Sequence, residues 1–310
     1  MVAIGGPRQI VAPPPYTPRN FGLLSAVNMR DEAGDPHWRG GVTWQDWCAD
    51  PAAIATFYQA NCEGSPAPAD KAGNVDLTLF AATAFTVYAQ WDCSPVGYSE
   101  TERQSMARDA LQRVTPFQVE QAFWTGSAGG DANVVWPHLA NNTATVDTGI
   151  SPGLLGCAAT PVTGVVLDIV EGVQRVEAAW AACSPTNGQG ILHVPASLGP
   201  SLWQWNLVKT DGAQLRTQSG NLVVLGGGYP GTSPAGVLTA NVAWIYMSGP
   251  IFGYRGAPDT WRFSEMFDRE TNTLRSLVEQ TWLFGYSCCC TPAAAISLGG
   301  DITGTPLSAT

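Results

Sequence analysis

The order of patterns along this chain predicts an α+β fold, and three observations carry that prediction. Period-two alternation and 3.6-residue stripes are interspersed without the strand–helix–strand regularity of a doubly wound parallel sheet. The stretch from Ser99 to Gly126 carries the start, stripe and stop signals of one unusually long helix. The 310 residues suffice for a sizeable core in one large or two modest domains.

The first 25 residues read as an extended arm. Pro13, Pro14, Pro15 and Pro18 favour polyproline geometry and forbid a helix interior. Residues 40–74 are rich in Gly, Pro, Asp and Ala and read as a long, loosely structured excursion containing Trp44 and Trp47. Alternation then returns. Val75, Leu77 and Leu79 share one face, as do Phe85, Val87, Ala89 and Trp91, which predicts two strands or one strand broken at Ala81-Ala82.

Ser99-Glu100-Thr101-Glu102 is a capping box. The helix behind it is expected to bury Met106, Ala110, Leu111, Val114 and Phe117. Pro116 either kinks it or starts a second helix, and Gly126 ends it. Thr160-Pro161 is expected to open another helix, with Val162, Val165, Val166, Ile169, Val173, Val176 and Trp180 on one stripe. Short strands follow at Ile191–Val194, Asn221–Leu225, Val242–Met247 and Ile251–Tyr254, with a helix over Ser197–Asn206 and a long strand over Leu274–Tyr286.

Composition narrows the function classes. Charged residues make up 13% of the chain, about half the roughly 25% typical of soluble domains. With 12 Trp and a mean hydropathy of +0.01, this points to a surface largely covered by other subunits. Formal net charge is −10, which disfavours wholesale DNA binding. The first 30 residues carry only Arg8, Arg19 and Arg30, so a +3 arm precedes a −13 body. No stretch is apolar over the roughly 18 residues a membrane span needs, and the start lacks signal-peptide character, so a cytosolic start is expected.

Chemistry-bearing motifs are sparse. Eight cysteines occur at 48, 62, 93, 157, 183, 288, 289 and 290, and free, mostly buried thiols are expected. In a strand, Cys288, Cys289 and Cys290 would point to alternate faces, so they should not converge on one zinc. Neither a metal nor a cofactor is implied. His37, His138 and His193 have no ligand spacing, and His193 reads as a satisfied core histidine. Gly226-Gly227-Gly228-Tyr229-Pro230-Gly231 matches the G-x-G-x-x-G pattern literally. Pro234 and Gly236 break any following helix, however, and no acid lies between Asp211 and Asp259 to meet a ribose, so a tight loop is expected. Glu100, Glu102, Glu120, Glu171 and Glu177 read as solvated helix faces, and no catalytic residue can be assigned.

Several ordered segments carry a resemblance. The first is Phe85-Thr86-Val87-Tyr88-Ala89, then Cys93-Ser94-Pro95-Val96-Gly97, then a helix ending Phe123-Trp124-Thr125-Gly126. The second is Gly190–Ala196, Leu207-Val208, Leu222-Val223-Val224 and Gly228–Gly231. The third is Asp268–Thr273, the long strand, the cysteine run and Ala293–Leu298. Over roughly residues 75–300 the chain resembles the major capsid proteins of actinobacterial tailed bacteriophages, which carry the Hong Kong 97-type fold.

That resemblance implies an N-terminal arm (1–40), an extended β loop region (41–98) and a peripheral domain with a long spine helix (99–150). An axial domain (151–255) follows, and then a return strand of the peripheral domain with the C-terminus (256–310). It implies a non-enzymatic virion protein, assembled in the bacterial host cytoplasm into hexamers and pentamers of an icosahedral shell around double-stranded DNA, bound without sequence specificity. Scaffolding, portal and decoration proteins would be separate chains, and no membrane is involved. Subunit-contact candidates are Ile10, Val11 and Tyr16 in the arm and Trp44 and Trp47 in the loop. Lys71 is the one lysine in the loop region available for a covalent cross-link. An encapsulin-type bacterial compartment shell, or another virion structural protein, is the alternative.

Overall fold

A computed structural model describes residues 16–17, 19–30, 36–48, 77–93, 99–127, 135–140, 158–184, 188–261, 267–268 and 273–299. In chain order the strands and helices begin with β1 (Val27–Arg30), β2 (Val42–Asp46), β3 (Thr78–Ala82), β4 (Ala84–Cys93) and α1 (Glu100–Thr125). Then come β5 (Thr160–Pro161), α2 (Ile169–Cys183), β6 (Ile191–Pro195), α3 (Gly199–Gln204), β7 (Val208–Asp211), β8 (Gln214–Thr217) and β9 (Leu222–Gly226). The chain closes with β10 (Val242–Ser248), β11 (Ile251–Arg255), β12 (Asp259–Trp261), β13 (Phe267–Asp268), β14 (Thr273–Gly285) and β15 (Pro292–Ser297).

Among the described residues the strands form three sheets. β14 is the axis of a six-stranded sheet. β4 runs antiparallel along one edge of it, from Leu274 opposite Cys93 to Leu283 opposite Ala84. β11, β12 and β13 share its other edge, and β1 lies parallel to β11. The second sheet has seven strands in the order β5-β15-β10-β6-β9-β8-β7, and β2 pairs with β3 in a third.

The capping box forms as the sequence predicts. The Ser99 N–H donates to Glu102 Oε2 at 2.7 Å, and the Glu102 N–H donates to Ser99 Oγ at 3.3 Å. Gly226 and its neighbours open a loop, whereas Gly126 closes α1 in the left-handed region, φ 73°, where a side chain would be strained. The helix runs through Pro116 as one element. Its buried stripe is Ala107, Leu111, Thr115, Val119, Ala122 and Phe123. Met106, Val114 and Phe117, expected in the core, are exposed. Leu111 of the expected set is buried, and packing against β4 and β14 sets the buried stripe around it, leaving the more distant members outside.

The second helix starts later than expected. Asp168 is its N-cap, accepting from the Glu171 N–H at 2.9 Å, while residues 162–167 form a bent segment hydrogen-bonded to β15 at Val162 and Leu167. The break between β3 and β4 falls at Thr83 rather than at Ala81-Ala82. Part of the segment expected as an arm lies in the subunit body: Leu23 is fully buried, and Phe21 C=O accepts from the Leu225 N–H at 2.8 Å. Ile10, Val11 and Lys71 lie outside the described residues.

The inner strands β15, β10, β6 and β9 of the seven-stranded sheet are buried on both faces, whereas its edge strands β5 and β7 are largely exposed. Along β10, Val242, Trp244 and Tyr246 enter the core shared with α1 and the other sheet. Ala243, Ile245 and Met247 enter the core under α2. Period-two geometry makes the division.

The expectation of free thiols is overturned. Cys48 pairs with Cys289 and Cys183 with Cys290 as disulfides, and Cys288 is disulfide-bonded as well. Residues 241 and 107 positions apart become neighbours only through the fold. The three consecutive cysteines occupy the linker between β14 and β15, and Cys289 and Cys290 take different partners.

Candidate subunit-contact surfaces and the buried junction

The outward stripe of α1 carries Met106, Val114 and Phe117, the last 50% exposed. On β4 the inward residues Phe85 and Val87 are buried, while Tyr88 on the opposite face is 56% exposed. Around α3, Trp203 and Trp205 are exposed, and Leu238 in the loop before β10 is 68% exposed. Large apolar side chains standing in water at several places mark surfaces suited to burial against another protein.

The contact candidates from sequence fall differently. Tyr16 is half-buried, with the Arg113 guanidinium 5.9 Å from its ring centre. Trp44 is half-buried inside its own subunit, stacked on Phe80 at 5.7 Å and edge-on to Phe252 at 5.0 Å. Trp47, at the end of β2, is 41% exposed. Met106, Val114 and Phe117 on the outward side of α1 carry the apolar pattern that the sequence places in the core.

Glu120 was missed. Expected on a solvated face, it is buried at the meeting point of the N-terminal segment, α1 and the glycine-rich loop. Its Oε1 accepts from the Leu23 N–H at 3.1 Å and its Oε2 from the Gly228 N–H at 2.9 Å. Burial raises its pKa above the ordinary glutamate value, against the lowering pull of these N–H groups and of Arg19.

The loop 226–231 is the other half of this junction. A Cβ on Gly228 would collide with the Phe117 carbonyl of α1, so glycine is required by close approach to a helix and not to a phosphate. Tyr229 packs on Trp124 with ring centres 4.8 Å apart, and Trp124 Nε1 donates to Thr232 Oγ1 at 2.9 Å.

His193 is a satisfied core histidine, as expected. Nδ1 meets the Tyr229 hydroxyl at 3.0 Å and Nε2 meets Ser248 Oγ at 2.9 Å. The Ser–His contact has hydrolase geometry, but both residues are fully buried and no carboxylate orients the ring. Burial lowers the pKa of His193 to about 3, too low for a general base near neutrality. Glu177, facing a groove, accepts from Thr217, Ser219 and Asn221 and so fastens α2 to the β8–β9 turn. No group of three metal-ligating side chains occurs among the described residues.

No family model matches the chain, and no curated protein matches it either. Solved structures do match in fold. The capsid of an empty GTA particle aligns with a TM-score of 0.55 and 11% identity over 94% of this chain and 95% of that one. The capsid of a native GTA particle gives 0.52 and 10% over 95% and 96%. The capsid of Ralstonia phage GP4 gives 0.50 and 10% over 97% and 98%. The chain therefore has the mixed helix-and-sheet fold of phage-type capsid subunits, in accord with the α+β capsid fold expected from sequence.

Proposed function

We propose that the chain is a shell-building subunit, the major capsid protein of a tailed-phage-type head, and that it works by self-assembly rather than catalysis. The observation that carries this reading is the full-length match in both directions to capsid subunits of similar size. The exposed apolar residues on α1, β4 and around α3 support it, because a monomer would leave them in water.

In this reading the residues ahead of Phe21 supply an arm, 41–98 a loop region that reaches a neighbour, 99–150 the peripheral domain, 151–255 the axial domain and 256–310 the return strand. Ile10, Val11, Tyr16 and Trp47 contact neighbouring copies in hexamers and pentamers, and Trp44 braces the loop from within. The product is a virion shell that forms in the host cytoplasm and encloses double-stranded DNA, with separate scaffolding, portal and decoration proteins. With only two lysines and 25 acids against 15 basic residues, the DNA-facing wall is neutral to acidic and contacts DNA through scattered arginines.

Sedimentation and electron microscopy of the purified protein test the reading. Closed particles tens of nanometres across are expected, and a stable species of a few tens of kDa under all conditions overturns it. Isolated subunits should not retard duplex DNA at physiological salt.

A further inference from the structure

The linker between β14 and β15 is where the chain leaves the six-stranded sheet for the seven-stranded one. Its residues 288–290 are all cysteines, and all three are disulfide-bonded. Cys289 is bound to Cys48, just past β2, with Cα atoms 5.1 Å apart. Cys290 is bound to Cys183, the last residue of α2, with Cα atoms 5.8 Å apart. Both spacings lie in the range a disulfide needs. β2 packs through Trp44 against Phe252 of the six-stranded sheet, whereas α2 packs against the seven-stranded one. The two bonds therefore anchor adjacent linker residues to different sheets.

We propose that Cys48, Cys183, Cys289 and Cys290 form a redox-controlled staple that fixes the linker joining the two sheets. With these two bonds reduced, the linker keeps noncovalent contacts: Trp44 Nε1 to Ser287 Oγ at 3.4 Å, Ser287 Oγ to Asp46, and the Thr160 N–H to the Thr291 carbonyl at 2.9 Å. These contacts keep the thiols adjacent and ready to pair. Oxidised, the linker is tied covalently to both sides.

The oxidant is a low-molecular-weight disulfide. One protein thiolate attacks it and expels a small thiolate, leaving a mixed disulfide. The partner thiolate then attacks the protein sulfur and expels the second small thiolate. Each protein pair loses two electrons and two protons, and the small disulfide becomes two thiols. Access supports exchange, since Cys183 is exposed and Cys48 and Cys289 are half-buried. A subunit made in a reducing compartment would keep a yielding linker and stiffen on reaching an oxidising one. The staple is a property of the single subunit and does not depend on the shell reading.

The test equilibrates the full chain in a series of reduced-to-oxidised glutathione ratios, alkylates it in denaturant and maps the peptides by mass spectrometry. Peptides joined as Cys48–Cys289 and Cys183–Cys290 should appear as the ratio turns oxidising, with a rise in melting temperature of about 10 °C. Cys289→Ser and Cys290→Ser should each remove one cross-linked peptide and part of the rise. Full alkylation of these four cysteines at every ratio, or unchanged melting despite cross-linking, overturns the proposal. Sedimentation of the same samples reports separately on assembly, so loss of the staple and loss of the shell reading are told apart.

Discussion

The two large sheets are built on opposite terms. The seven-stranded sheet is closed within the subunit along its inner strands: β10 is buried along its whole length, with one set of side chains facing α1 and the alternate set facing α2. The six-stranded sheet is closed on one face, and its other face is covered by Trp38 and Trp44 around Leu283 and Phe252 but is open along β4. β4 turns Phe85 and Val87 inward and leaves Tyr88 and Gln90 outward, and the helix covering its inner face shows an apolar stripe to solvent. A sheet covered on both faces needs nothing from a neighbour, whereas a half-covered sheet with apolar side chains outside is stable but unfinished. Stability should therefore concentrate in the first region, and assembly in the second together with the exposed Trp203, Trp205 and Leu238 at the margin of the first.

The largest effect should come from breaking the closed region at its joint with α1. Trp124 is fully buried between Tyr229 and Tyr246, with ring centres 4.8 Å from each. Trp124→Ala should cost about 3–5 kcal/mol in denaturant unfolding of the subunit, from lost burial plus the cavity left behind. Gly228→Ala comes next. The new methyl meets the α1 backbone, so α1 and the loop must separate, at about 1–3 kcal/mol by the same measurement.

Acid should act on the closed region with a definite sign. Burial depresses His193 to about 3 and His138 to about 4 from an unfolded value of 6.5. Keeping them neutral therefore stabilises the fold above pH 6.5, and that stability is lost as pH falls from 6.5 through 4 and 3. Glu120 runs the other way: its raised pKa contributes stability at low pH that is lost as pH rises through the raised value. Unfolding midpoints measured from pH 7 downward should fall, and His193→Gln should flatten the fall. A midpoint that rises throughout would show that Glu120 outweighs both histidines.

The smallest effect on stability should come from the open region. Phe117→Ser and Tyr88→Ser remove exposed apolar side chains and should change unfolding by no more than about 0.5 kcal/mol. Particle yield by sedimentation should nevertheless drop. Unchanged yield with both replaced would remove these residues from the contact surface.

Much of this layout could be read from residue order. The capping box at Ser99, the stop at Gly126 and the apolar runs of β6, β9, β10 and β14 are local signals, set by neighbours along the chain. The site was less legible. Phe117 and Leu111 are equally apolar and sit on the same helix, yet one faces water and the other the core, because packing against β4 and β14 chooses the stripe. Glu120 looks like any solvated helix acid until Leu23 and Gly228, both about a hundred residues away, bring their N–H groups to it.

By itself the sequence determined the elements, their α+β order and the restrictive glycine loop, since backbone preference and periodicity act over a few residues. Only the tertiary structure decided which apolar face of α1 stays outside and that Glu120 is buried. It alone decided that the cysteines at 48, 183, 289 and 290 pair instead of remaining free. These depend on contacts between residues as many as 241 positions apart, and no local pattern encodes a distance that only folding closes.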